Sequence, residues 1–314
     1  MKLAKYLMIA ATSLGLLLGC NDKLDLEPSD SLTSGTAITD MDGLRAALTG
    51  AFDGMQSVNY YGRNYILIPE LGADNVYLSK VNSNRFLSSY RREYTVLDSD
   101  VSGFWNTAYN VILRANNLIA NVDNVPGDET EKNVAKGQAL FIRALVHFDL
   151  TRIFAKPYNQ GAGAQPGVPL ILKFEVATPA RAPLSEVYAQ IIKDLTEAKG
   201  LLASTTIEEK LKPSKYAAAA LLARVYLYQG NNAAAITEAT EVINAGYTLT
   251  PAASFAGYFA DPGAAEDIFT LHFPEVETLG SDNIGNMYLK PGYGDVRVSP
   301  DLRSIYDDAD VRKN

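Results

Sequence analysis

The chain has 314 residues, 47% of them hydrophobic and 20% charged, which is enough apolar surface for a packed core and too little charge bias for disorder. Its formal net charge is −8 and no basic cluster interrupts that acidity, which argues against nucleic acid and against charge-driven binding to anionic headgroups. The single cysteine, Cys20, excludes an intrachain disulfide.

The first element is a short basic run, Met1-Lys2-Leu3-Ala4-Lys5, followed by the mainly apolar run Tyr6–Leu18, 13 residues long. That length suits the core of a signal peptide and is too short to cross a bilayer. Leu17-Leu18-Gly19-Cys20 then resembles the lipobox of bacterial lipoproteins. The resemblance implies cleavage before Cys20 and a diacylglycerol on its thiol. Residues 1–19 are therefore expected to be a leader. Its removal takes the basic residues from 28 to 26 against 36 acidic ones, so the charge becomes −10. Residues 20–40, rich in Ser, Thr and Asp, read as a flexible tether. Residues 41–314 are expected to form the folded body. The best later candidate for a span, Tyr216–Gln229, is interrupted by Arg224, so contact with a membrane is expected through the lipid alone.

Within the body the period is helical. Phe104, Trp105, Ala108, Val111, Ile112, Ala115, Leu118, Ile119 and Val122 recur at steps of three and four, opposite Asn106, Asn110, Asn117 and Asn121. Pro126-Gly127-Asp128 turns the chain. The next helix, about 131–154, is apolar on most faces and is expected to lie between neighbours. Val187, Ile191, Leu195, Ala198 and Leu202 form another stripe. Pro213 is expected in the first turn of a helix reaching Gln229, with a turn at Gly230, a further helix over 233–244 and a stop at Gly246. Leu222, Ala223, Tyr226, Ala235, Ala239 and Val242 have the small/large spacing of a tetratricopeptide repeat, and such repeats need neighbours to bury their faces. Beyond Leu249 the pattern changes to loops and short strands, with "DIFTLHF" (267–273) as a strand candidate. The expected fold class is mainly α: tetratricopeptide-like hairpins with long loops and a few short strands.

Signatures of catalysis are missing. Of the two histidines, His147 falls inside the buried helix and His272 has no histidine or cysteine partner nearby in sequence, so neither points to a metal. There is no G-x-S-x-G, H-E-x-x-H, P-loop or C-x-x-C. "GAGAQPG" precedes no helix and reads as a loop. The pairs Asp98/Asp100 and Glu275/Glu277 have the residue types of a glycosidase acid and nucleophile, but 36 acidic residues produce such pairs by chance. No catalytic residue, cofactor or metal ligand is assigned.

Six stretches, in order, resemble the SusD/RagB family of outer-membrane lipoproteins: "GCNDKLDLEP", "FWNTAYNVILRANNLI", "GQALFIRALVHFDLTRIF" with "GVPLIL" downstream, "LSEVYAQIIKDLTEA", "KPSKYAAAALLARVYLYQGNNAAAITEATEVINAGYTL" and "SPDLRSIYDDADVR". The resemblance implies a surface-exposed, outer-membrane lipoprotein of helical hairpins. It would capture a nutrient, often a glycan, and deliver it to a SusC-like TonB-dependent transporter. Members usually continue well past the element that ends here at Arg312, so part of the C-terminal half of the usual domain is expected to be missing.

The family's ligand residues follow no fixed motif, so the candidates come from physical chemistry. Sugars present flat C–H faces ringed by hydroxyls, which suit aromatic rings together with Asn, Asp and Arg. Residues 75–92 supply Tyr77, Asn82, Asn84, Arg85, Phe86, Tyr90 and Arg91 outside any helical stripe, and "NMYLKPGYGD" adds Tyr288 and Tyr293. The bland alternative is that Tyr77, Phe86 and Tyr90 anchor loops to the body; Trp105, on the apolar stripe, is expected in the core. Competing functions are a structural subunit of the transporter with no ligand of its own, a peptide binder and a surface hydrolase.

Overall fold

The computed structural model describes residues 38–313 except 176, 261 and 262. The expected leader, Cys20 and the tether up to residue 37 lie outside the described residues. The last part of the expected tether is tied down: Ile38 is buried, and Asp40 caps the first helix, α1 (Met41–Gln56), by accepting from the Gly43 N–H at 2.8 Å. Leu44, Leu48, Ala51 and Met55 form the buried stripe of α1. Helix α2 (Asn64–Gly72) and strand β1 (Val76–Leu78) lead to the short helix α3 (Leu87–Arg91).

Helix α4 (Ser99–Asn121) buries Phe104, Ala108, Val111, Ile112, Ala115 and Leu118, the stripe that the spacing predicts. Trp105 is half-buried, edge-on to Phe154 with 4.8 Å between centroids. Asp128 caps α5 (Glu129–Phe154), which is buried on nearly every face from Gly137 to Thr151. Those faces include the polar Arg143, His147 and Asp149. His147 lies in the core as expected, with Nδ1 2.9 Å from the Arg143 carbonyl oxygen.

Val187, Ile191, Leu195 and Ala198 line the buried face of α6 (Leu184–Leu201), and Leu202 continues it beyond the last turn. Helix α7 (Lys215–Gln229) begins after the cap Ser214, so Pro213 precedes the cap instead of occupying the first turn. Gly230 takes φ +86° and lets the chain leave α7 through a left-handed residue, which a Cβ would strain. Helix α8 (Asn232–Ile243) returns along α7 and buries Ala235 and Val242.

Consecutive helices from α4 to α8 pack on one another, and α1 packs on α4 and α5. Each stripe is thus covered by the next hairpin, which is how helical repeats build a continuous core. Beyond α8 come the short helices α9 (Phe255–Tyr258), α10 (Ile284–Tyr288) and α11 (Pro300–Ile305), with strand β2 (Val296–Val298) before α11. The strand candidate 267–273 is irregular instead: among the described residues its backbone makes two bonds to distant segments, Thr270 N–H to the Lys210 carbonyl at 2.7 Å and the His272 carbonyl accepting from Gln56 Nε2, and it lacks a partner strand. The described sheet is the pair β1–β2, antiparallel, with Tyr77 opposite Arg297. The fold is mainly α, of tetratricopeptide-like hairpins, as expected.

Candidate functional site

The β1–β2 ladder joins the 75–92 segment to the segment around 284–298. Beneath it lies a small apolar cluster of Leu67, Leu71, Val76, Leu78, Phe86, Met287 and Val296. The buried Asp295 fixes the loop after β1. Its Oδ2 accepts from the Ser83 N–H at 3.1 Å and from the Ser83 hydroxyl, and its carbonyl accepts from the Ser79 N–H. Asn82 then accepts from the Asn84 N–H at 2.7 Å, an Asx turn that holds Asn84 at φ +62°. Phe86 is also left-handed, at φ +59°. Arg85 sits between these two turns, its side chain partly exposed while Phe86 goes into the core.

Arg85 reaches across the fold. Its Nη1 donates to Asp282 Oδ1 at 2.9 Å, its Nη2 donates to the Tyr293 hydroxyl at 3.0 Å, and the guanidinium lies 4.2 Å from the Tyr293 ring centroid. Asp282 also accepts from Arg63 Nη1 at 3.1 Å, and Arg63 stacks over Phe86 at 5.0 Å. Arg63, Arg85, Phe86 and Asp282, with Asn84, Asp98 and Asp100, line a polar depression of about 580 Å³, and Tyr293 is outside that lining. Burial pushes the Asp100 carboxyl above its ordinary value, against the pull of Arg63. Asp98 is occupied as the cap of α4, accepting from the Asp100 and Val101 N–H groups and from the Ser88 hydroxyl.

The site candidates therefore separate, with Asn82 spent on the turn, donating to the Ser79 carbonyl and accepting from Asn84. Asn84 and Arg85 line the depression, whereas Tyr293 is bonded to Arg85 but is not part of the lining. Phe86 closes the floor but is 5% exposed and offers no ring face to a ligand; it is the loop anchor of the bland alternative. Tyr77 is half-buried on β1, and Tyr288 is half-buried against the apolar cluster, its hydroxyl pushed up to about 12 by desolvation. Tyr90 and Arg91 are exposed on α3 outside the lining, and Cys20 is outside the described residues. Arg63 and Asp282 were not anticipated. Nothing local to them signals their role, because Arg63 and Asp282 meet across 219 positions. Among the described residues no group of three or more His, Cys, Asp or Glu is placed to hold a metal ion.

A stack of helical hairpins carrying a polar, loop-built surface depression is thus the class of structure in hand. Residues 24–227 match the family described as "Starch-binding associating with outer membrane". The SusD-like protein P2 of Formosa agariphila is 32% identical over 296 residues, covering 91% of this chain and 56% of the relative. A SusD-like protein of Bacteroides ovatus is 30% identical over 235 residues, 71% of this chain and 39% of the relative. Among solved structures, a SusD superfamily protein from Bacteroides thetaiotaomicron matches with a TM-score of 0.80 at 28% identity, over 87% of this chain and 63% of that one. A laminarin-binding SusD-like protein matches with a TM-score of 0.54 at 26% identity, over 68% and 45%. The chain belongs to the SusD-like family. It spans 56% or less of the length of the two sequence relatives named here.

Proposed function

We propose that this chain is a lipid-anchored, non-catalytic nutrient-binding protein of the outer membrane, exposed at the cell surface. It takes up a glycan at the Arg85 depression and passes it to a SusC-like TonB-dependent transporter. The observation that carries the proposal is the junction of Arg85 with Asp282, which gathers donors and acceptors from two distant loops into one open depression, with Tyr293 bracing Arg85 from outside it. The family description and the laminarin-binding neighbour support a glycan as the ligand. Arg63, Arg85, Asn84, Asp100 and Asp282 supply donors and acceptors for sugar hydroxyls. With Phe86 buried and Tyr293 covered by Arg85, recognition rests more on hydrogen bonds than on ring stacking. Asp98 serves as a helix cap and Asp100 faces Arg63 across 3.9 Å, roles that favour binding over glycoside hydrolysis.

Titration calorimetry with a panel of α- and β-glucan oligosaccharides, followed by product analysis of the same mixtures, tests this reading. Saturable binding that weakens in Arg85→Ala, without new products, is the expected result. Binding of peptides alone, no binding at all, or cleaved products would each replace the reading with one of its competitors. Affinity purification from gently solubilised outer membranes tests the transporter as partner.

A further inference from the structure

At one end of the hairpin stack the last turns of α5 and α7, the first turns of α6 and one side of α2 surround a second cleft, of about 530 Å³. Its charge differs from that of the chain. Arg152, Lys156 and Arg224 line it against a single acid, Glu70, in a protein of net charge −8. Its walls carry the rings of Tyr61, Tyr65 and Tyr228, among others.

Two features show that the cleft is held in shape. Asp149 is completely buried, and its two oxygens accept from three phenols and one guanidinium. Tyr60 and Tyr61 each donate to Oδ2 at 2.7 Å, Tyr65 donates to Oδ1, and Arg152 Nη2 donates to Oδ1 at 2.8 Å. A carboxylate with so many donors has little left for a ligand, and its bonds lock Tyr61 and Tyr65 into the wall. Arg152 is held as firmly, with its guanidinium carbon 4.9, 5.6 and 5.7 Å from the ring centroids of Phe148, Tyr65 and Tyr228. Yet its buried Nε has no acceptor among the described residues. A guanidinium fixed by rings on its faces and by one carboxylate on Nη2 keeps its Nη1 end, which no acceptor holds among the described residues, for a planar, charged acceptor. Tyr228, 48% exposed beside it, presents the kind of face on which a pyranose ring stacks.

We propose that this cleft is a second binding site, separate from the Arg85 depression, for a carboxylate-bearing saccharide such as a uronate. The carboxylate pairs with the open side of Arg152 and with Arg224, while the sugar ring lies against Tyr228. The flat aromatic wall favours a saccharide over a flexible acidic peptide.

The test is calorimetric titration of the whole chain with trigalacturonate, with the neutral trisaccharide of galactose and with triglutamate, in the unaltered protein and in Arg224→Gln, Tyr228→Ala and Arg85→Ala. Arg224 and Tyr228 are exposed and make no hydrogen bond to Asp149, so its phenol donors stay in place in these variants. Trigalacturonate should bind, weaken on the order of tenfold in Arg224→Gln and several-fold in Tyr228→Ala, and weaken with added salt. It should be indifferent to Arg85→Ala, which separates this site from the glycan depression. The neutral trisaccharide should show no dependence on Arg224. Three results would overturn the proposal: no trigalacturonate binding up to about 1 mM, binding unaffected by Arg224→Gln, or triglutamate binding equally well.

Discussion

Arg143 on α5 and Asp194 on α6 form a two-pronged ion pair in the core, with Nε to Oδ2 and Nη2 to Oδ1 both at 2.7 Å and both side chains less than a tenth exposed. The rest of each group is also satisfied: Arg143 Nη1 donates to Asn116 Oδ1 on α4 at 3.0 Å, and Asp194 Oδ1 accepts from Gln190 Nε2 at 2.7 Å. Three consecutive helices thus meet at one guanidinium. Removing a single partner leaves a buried charge uncompensated, so Asp194→Ala should cost about 3–5 kcal/mol in chemical denaturation. Arg143→Met combined with Asp194→Leu, which removes both charges, should lose much less. If the double variant is as unstable as the single one, the pair contributes more than charge compensation.

Arg85 and Phe86 are neighbours in sequence and should part company on substitution. Arg85 engages Asp282 at the surface, where an ion pair contributes about 0–1 kcal/mol, so Arg85→Ala should barely shift the melting transition while weakening glycan binding several-fold. Phe86 is buried, and Phe86→Ala should cost about 3 kcal/mol. Parallel thermal melts and titrations check this. Normal binding by a folded Arg85→Ala would move the site elsewhere.

His147 and Asp149 titrate against each other. Burial holds the His147 imidazole down to about 4 from its ordinary 6.5. Between those values the unfolded chain binds the extra proton, so stability is lost as pH falls, by about 3 kcal/mol for this group. Burial raises the Asp149 carboxyl to about 7 from 3.8, against the hydrogen bonds of Tyr60 and Tyr61. There the native state binds the extra proton, so this contribution falls as pH rises through the same range. His147→Gln should therefore expose the Asp149 slope, with stability declining from pH 4 to 7. Urea midpoints across that range measure it, and an unchanged profile would show that His147 does not titrate.

The proposed lipid on Cys20 has its own test. Two or more acyl chains, at about 0.8 kcal/mol per buried methylene, anchor a protein stably. Cys20→Ala should leave a soluble form or an uncleaved precursor on detergent partitioning. Normal processing and unchanged partitioning of that variant would remove the lipid from the account.

The helices were legible because their signal is local. The stripe Phe104–Leu118 and the stripe Val187–Leu202 each recur within a few turns, so a 3.6-residue period alone marks the face that must be buried. Gly230 was legible for the same reason, since a left-handed exit is a property of one residue. Residue chemistry also placed Arg85 and Tyr293 among the ligand candidates, but their meeting, and the choice of Asp282 as partner 197 positions away, depends on how β1 pairs with β2. The tertiary structure likewise sent Phe86 inward beside an outward Arg85, because two successive left-handed turns set the direction of each side chain. It also put Asp149, one of several polar residues on a mostly apolar buried helix, beneath three tyrosine hydroxyls more than 80 positions upstream. A buried carboxylate is tolerable only where donors converge on it, and periodicity carries no information about which distant side chains will converge.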